Sequence, residues 1–369
     1  MKFQQIKAKY EGFIDMSCNV KKEYIAELMR AKGGARAIVT MTFDDGVSDS
    51  SHKVKELMVK YGLVATLMVV PSRIMGIPPY SRGYCDISEL GELMEGGYID
   101  IESHSYSHLY IAEEGHVDYK AENCNDENRL RETVGSYEWL REHFPNKHFV
   151  AFGVPGGNYD ARTHEYLKKC FYAVRNGWVG NDDVQSLTPT DDREMGGWYR
   201  LKRFAMRESD PEGAIDRLDR CVKRGGWFLT ANHNIVGTEI GKHNYEISVP
   251  TLERILERIA ALRDEGKVWS ASFGDATRYL RECEAAEVRE YSDGGELFVE
   301  LKMKKQTPSG LPLTSDVFNL PLTVKVELPK DWNKVKAGCI TYDTFIEDEN
   351  NYAYIEIAPI DGVTKLWKA

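Results

Sequence analysis

No apolar run in this sequence approaches the roughly 20 residues that a membrane-spanning helix needs; the longest, residues 63–71, has the length of a buried strand. The first 16 residues mix Lys, Gln, Glu and Tyr with isolated apolar residues and lack the unbroken hydrophobic stretch of a secretory signal. Cysteine is sparse: seven residues, at 18, 85, 124, 170, 221, 283 and 339, with no CxxC pair and no zinc-finger spacing. They read as buried or free thiols of a reducing compartment. The expected location is therefore the cytoplasm, or outside the cell should a leader precede these residues. An excess of basic charge is missing too. The 48 Lys and Arg against 58 Asp and Glu leave a net charge of −10, which repels phosphate backbones and anionic lipid. Nucleic acid and membrane surfaces are excluded as expected partners.

What the chain does have is core-forming material. Its 369 residues are 42% hydrophobic and 11% aromatic, enough for two to three domains or one large barrel with an appendage. Residues 1–35 are polar and read as an N-terminal extension carrying a helix over 22–32, stopped by Gly33 and Gly34. From residue 37 onward, short apolar runs alternate with amphipathic stretches. Strands are expected near 37–43, 64–70, 98–103, 148–152, 171–175, 199–204, 227–231 and 267–271, with helices between most of them. Alternation of this kind implies parallel pairing. The expected fold is α/β: a distorted (β/α) barrel of seven to eight strands over residues 36–285, with an appended C-terminal antiparallel β domain over 286–369. That last part has alternating segments at 297–303, 322–328 and 352–357 and no helical period, as in a small β-sandwich. An irregular stretch, 176–198, reads as a binding loop.

The chemistry-bearing residues cluster at strand ends. Asp44-Asp45-Gly46 follows the first strand; alone it would be a solvated turn with an Asp capping the next helix. His104 and His108 follow the third; alone they would be surface histidines, and on one helical turn they would share a face and hold a divalent ion. Pro155-Gly156-Gly157 follows the fourth strand and in isolation is a plain turn, while His233 follows the strand at 227–231. In a parallel barrel the C-terminal strand ends open on one face, so these segments become neighbours whatever their separation in sequence. Asp45, His104 and His108 would then form a two-histidine, one-carboxylate metal site with open positions for water and substrate. Trp178, Trp198 and Trp227 are candidates for stacking on a sugar ring, and equally for the core.

The ordered set TFDDG, HSYSH, FGVPGGNYD and the late Asn232-His233 resembles the polysaccharide deacetylases, carbohydrate esterase family four, over about residues 36–285. The resemblance implies a distorted (β/α) barrel and a metal-dependent hydrolase that removes acetyl groups from N- or O-acetylated sugars. It implies metal ligation by Asp45, His104 and His108, a catalytic base at Asp44 and a catalytic acid at His233. The implied cofactor is one divalent ion, zinc first, with cobalt, nickel or manganese as alternatives, and the implied partner is an acetylated carbohydrate. The chain departs from the family at Gly153, where many members carry an arginine that steers the base. Arg175 and Arg203 are the two candidates to replace it. An aromatic residue that often follows the motif proline is here Gly156, which leaves its backbone N–H as oxyanion donor. Rival readings are a C–N hydrolase of cyclic imides or ureides on the same barrel, a non-haem Fe(II) oxygenase built on the same ligand set, and a non-catalytic carbohydrate-binding protein.

Overall fold

The computed structural model describes residues 23–24, 26–77, 83–178, 184–189, 197–238, 246–308 and 310–369. Two short strands come first, β1 (Glu23–Tyr24) and β2 (Ala26–Leu28). The next five are β3 (Ala37–Asp44), β4 (Ala65–Val69), β5 (Ile99–Ser103), β6 (Ala151–Gly153) and β7 (Ala173–Trp178). After them come β8 (Gln185–Ser186), β9 (Leu201–Arg203), β10 (Gly226–Leu229), β11 (Asn234–Val236), β12 (Glu246–Ser248) and β13 (Val268–Ser270). The remaining strands are β14 (Ala286–Asp293), β15 (Glu296–Met303), β16 (Leu322–Leu328), β17 (Lys334–Ala337), β18 (Ile340–Asp343), β19 (Phe345–Glu347), β20 (Asn350–Ile357) and β21 (Gly362–Lys368).

The parallel sheet runs β10-β3-β4-β5-β6-β7-β9, with β13 alongside β3. Strand β3 is its axis. All eight of its residues are buried, because helices cover one face and the barrel interior the other, so the run carries no charge before Asp44 and its only other polar residues are Thr40 and Thr42. β10 pairs with one edge of β3 (Trp227↔Ile38); the other edge pairs first with β13 (Val268↔Ala37) and then with β4 (Met41↔Ala65). A single parallel bridge, Phe204↔Thr230, brings β9 to β10 and nearly closes the ring. All eight strands expected in the barrel are present, in α/β alternation. The helices that cover them bury apolar stripes, as in Ser48–Tyr61 (Val54, Leu57, Met58) and Val249–Asp264 (Leu252, Ile255, Ile259).

Helix Phe273–Ala285 runs without a break into β14, and from there the chain is antiparallel. Six strands form one sheet, β1-β14-β15-β21-β17-β18, and four form another, β19-β20-β16-β2. The helix expected at 22–32 is not formed among the described residues, which are β1, β2, an irregular stretch at 29–31 and the start of a 3-10 turn at Lys32–Gly34. Tertiary pairing overrides helix propensity there. β2 lies along β16 (Ala26↔Val326) and β1 along β14 (Glu23↔Tyr291), so the leading segment covers one edge of each sheet.

Three carboxyls are sealed into this scaffold. Glu102 of β5, Glu282 of the joining helix and Glu290 of β14 are each pushed by burial up to about 8. A raised folded-state value means the native protein keeps protons that the unfolded chain releases above 4.5, so stability is full in acid and falls as pH rises toward 8. The melting temperature is expected to drop between about pH 4.5 and about pH 8 and to level off above that. Glu290→Gln, whose amide mimics the protonated acid, is expected to flatten that drop, and an unchanged slope in melts of this variant would remove Glu290 from the account.

Candidate active site

Strand β3 delivers Asp44 as its last residue, and the chain then turns through two left-handed residues, Asp45 (φ 82°) and Gly46 (φ 69°). A non-glycine residue in that region costs about 1–3 kcal/mol and persists only where its surroundings impose it. Here Asp44 N donates to Asn232 O (2.7 Å) and Asp45 N to Met68 O (2.9 Å), which ties the turn to the strands on both sides. His104 follows β5 and is still in register, its N donating to Val69 O (2.8 Å). The segment from His104 to His108 is not the helical turn considered from the spacing. Ser105 (φ 66°) and His108 (φ 62°) are both left-handed, and the loop folds back so that the two rings meet edge to face with centroids 5.0 Å apart.

Asp45, His104 and His108 each offer an atom within 4.8 Å of the others. Asp45 Oδ1 lies 3.8 Å from His104 Nε2 and 3.4 Å from His108 Nε2. Gly153 O, 2.7 Å from His104 Nδ1, fixes that ring with Nε2 toward the carboxylate. Burial first, then the neighbouring His108, holds the His104 pKa well below its ordinary value, and burial likewise lowers that of His108. Burial would raise Asp45, but His104, His108 and Arg73 outweigh it and the net direction is down. An ionised carboxylate beside two neutral imidazoles is the protonation pattern that a divalent ion requires. The donor set therefore fits such an ion, with room for further ligands on the cavity side.

Asp44 is buried and answered by Arg175 of β7, which is fully buried and donates Nη2 to Asp44 Oδ1. The register explains how this arginine reaches the site: Gly153 of β6 pairs with Arg175 of β7. A Cβ at Gly153 would stand 2.9 Å from Arg175 Nη2 and 3.0 Å from Met68 Cε. The missing side chain at 153 is thus the space the guanidinium occupies. Arg203, the other candidate, is also buried and lines the cavity; its Nη2 occupies the space a Cβ of Gly157 would need.

The cavity holds about 450 Å³ and is walled by Asp44, Asp45, His104, His108, Gly156 and His233 together with Tyr110, Met206, Arg207 and Asn232. Gly156 (φ 69°) reaches the wall against the Tyr110 ring, whereas Pro155 is buried behind it and Gly157 backs onto Arg203. The Asn232 carboxamide accepts from Met206 N (3.0 Å) and donates to Thr42 O (3.2 Å), fixing the strand end that carries His233. Ser50 Oγ, 2.7 Å from Ile235 N, secures the other side of that segment. Trp198 and Trp227 are core residues, 1% exposed, and Trp227 Nε1 donates to Thr40 Oγ1. The Trp178 side chain lies outside the described residues. Tyr110 is the aromatic residue of the cavity wall, and its place two positions beyond His108 was a usable signal. Arg73, whose Nη1 is 2.5 Å from Asp45 Oδ1, comes from the short helix Pro71–Ile74 just past β4, the same barrel face as the other motifs.

Gly153→Ala is expected to overpack this site and cost about 1–3 kcal/mol in a denaturant titration. Wild-type stability for that variant would mean that Arg175 does not need the space.

The polysaccharide deacetylase family model matches residues 31–174. No curated protein matches the sequence. Among solved structures, a putative polysaccharide deacetylase from Mycobacterium smegmatis is 14% identical, covering 70% of this chain and 95% of its own, with a TM-score of 0.45. The peptidoglycan deacetylase PdaC from Bacillus subtilis is 16% identical, covering 65% of this chain and 89% of its own, with a TM-score of 0.38. The Streptococcus pyogenes deacetylase PplD, solved with acetate, is 16% identical over 45% of this chain and 62% of its own, at a TM-score of 0.34. The matched residues, 31–174, supply Asp44, Asp45, His104 and His108 to one cavity, so this part of the chain is similar to the polysaccharide deacetylase family.

Proposed function

We propose that this protein is a metal-dependent hydrolase that removes acetyl groups from N-acetylated sugars, as oligomers or polymers. The observation that carries the reading is the convergence of Asp44, Asp45, His104, His108 and His233 on a single cavity of about 450 Å³. The match of residues 31–174 to the polysaccharide deacetylase family model supports the substrate class.

Amide hydrolysis needs a strong nucleophile, a stabilised tetrahedral oxyanion and a proton for the departing amine. Asp45, His104 and His108 would hold a divalent ion, zinc first, whose Lewis acidity would acidify a water and polarise the acetyl carbonyl. Asp44 takes the water's proton. Its Oδ1 is engaged by Arg175, so Oδ2, 3.7 Å from His104 Nε2, is the oxygen turned toward the ligand set and able to accept. Arg175 acts through Asp44 by holding that rotamer. The Gly156 N–H donates to the acetyl oxygen as it gains charge; loss of one such donor typically costs about 2.7–4 kcal/mol of barrier. His233, on the cavity wall beyond the ligands, delivers the proton to the sugar nitrogen, and Tyr110 offers a ring against which a sugar face can rest.

Acetate release from N-acetylglucosamine oligomers, measured beside bound metal, tests the reading. Asp44→Asn is expected to keep the metal and lose turnover, and His104→Ala to lose both. Dialysis against a chelator is expected to abolish activity, and zinc or cobalt to restore it. Wild-type turnover by Asp44→Asn would remove its role as base. Metal binding without acetate release would favour a hydrolase of another amide, imide or ureide or the Fe(II) oxygenase, and neither would favour a carbohydrate-binding protein.

A further inference from the structure

His104 and His108 are held in place by different means. The His104 ring is fixed directly by Gly153 O, 2.7 Å from Nδ1. His108 sits in a left-handed conformation (φ 62°) at the end of a loop whose other bend, Ser105, is also left-handed (φ 66°). Two strained residues within one five-residue motif would cost about 1–3 kcal/mol each, so something outside the loop must impose its shape.

Glu132 is placed to do so. It is 2% exposed and lies in a π turn, Arg131–Gly135, inserted between the α-helical Asp126–Leu130 and Ser136–His143. Its Oε2 accepts from the backbone N of Ser107 (2.8 Å) and of Leu109 (3.4 Å), the two residues that flank His108. Its Oε1 accepts from Ser107 Oγ (2.6 Å) and from Arg131 Nε (3.0 Å), which offsets its charge. A turn further along the same helix, Ser136 Oγ meets Ser103 Oγ at 2.7 Å and ties it to the last residue of β5. Inside the loop, Ser105 Oγ accepts from His108 N (3.0 Å). The backbone on both sides of His108 is therefore clamped by one buried carboxylate from a helix that contributes no residue to the cavity wall. π turns inserted in helices are frequent at functional sites, where the extra residue re-aims a side chain.

We propose that Glu132 is a positioning residue for metal binding. By holding the N–H groups of Ser107 and Leu109 it sets the His108 backbone, and with it the direction of His108 Nε2 toward Asp45 Oδ1, 3.4 Å away. The inference rests on the reading of Asp45, His104 and His108 as ligands. Charge-assisted bonds to backbone N–H groups are among the stronger ones in proteins, and outer partners of ligands are typically worth about tenfold to a hundredfold in metal affinity.

The test is zinc affinity, measured by competition with a chromophoric chelator on the full-length protein, for wild type, Glu132→Gln and the milder Ser107→Ala. Glu132→Gln is expected to bind zinc about tenfold to a hundredfold more weakly, and Ser107→Ala to shift the same way by less. Saturating zinc is expected to recover kcat in both variants with KM unchanged, a rescue that a general folding defect would not allow. A folded Glu132→Gln with wild-type zinc affinity overturns the proposal and leaves the function reading intact. If Glu132→Gln does not fold, unchanged affinity in Ser107→Ala overturns it instead. Failure of the wild-type protein to bind zinc sinks the ligand reading itself.

Discussion

Two carboxylates on adjacent residues, at the end of a strand buried along its whole length, are the constraint around which this site is organised. Asp44 is 6% exposed and Asp45 only moderately more so. Two unanswered charges at that depth would each cost several kcal/mol in desolvation, and more through mutual repulsion. The left-handed turn at Asp45 separates them into different surroundings. Asp44 is given to Arg175 of β7, and Asp45 to Arg73 and to the face shared by His104 and His108. One carboxylate is thereby kept from the ligand group and the other is made part of it, which is the division that separate roles as base and ligand demand. Chemical identity does not distinguish the two; partners do.

The partners themselves follow from sheet register. Strands β6 and β7 pair Gly153 with Arg175, so the absent side chain on one strand is the berth of the guanidinium from the next. An arginine at 153 and an arginine at 175 would compete for the same volume beside Met68. In that light the glycine is half of an exchange, and an arginine still reaches Asp44.

Much of this was legible beforehand, and the reasons differ by element. β3 could be read because a strand covered on both faces is rich in apolar and β-branched residues and free of charge until its last residue, and its end because Asp-Asp-Gly cannot continue such a run. The site could be read because parallel strands send all their C-terminal ends to one face, so motifs far apart in sequence had to converge. The choice between Arg175 and Arg203 could not, since both sit on strands and only pairing register separates them. The helix expected at 22–32 failed for a related reason: β1 and β2 exist because sheet edges formed some 260 or more residues later along the chain accept them, and no local pattern carries that information. Trp198 and Trp227 carried a plausible stacking role, yet large aromatic residues near barrel strands are more often needed to fill the interior. The HSYSH turn was hidden because strain imposed from outside a segment leaves no trace in its own periodicity.

The opening of the cavity is a consequence of how the barrel closes. β9 and β10 meet through one bridge, Phe204↔Thr230, and past it the two chains are no longer laddered. The residues immediately beyond that bridge, Ala205 to Arg207 on one side and Ala231 to His233 on the other, are cavity-lining residues. A full ladder there would seal the mouth and leave no route from solvent to Asp45. The missing backbone bonds must still be answered, because buried N–H and C=O groups are costly when unpaired. Asn232 answers several of them with one side chain, accepting from Met206 N and donating to Thr42 O and Thr230 Oγ1, while its own carbonyl receives Asp44 N. The strands on either side of the gap are thus joined through a carboxamide instead of through each other. The same residue that spans the seam sits next to His233, so Asn232, with Ser50 on the other side, links the geometry of the opening to the position of the proposed acid.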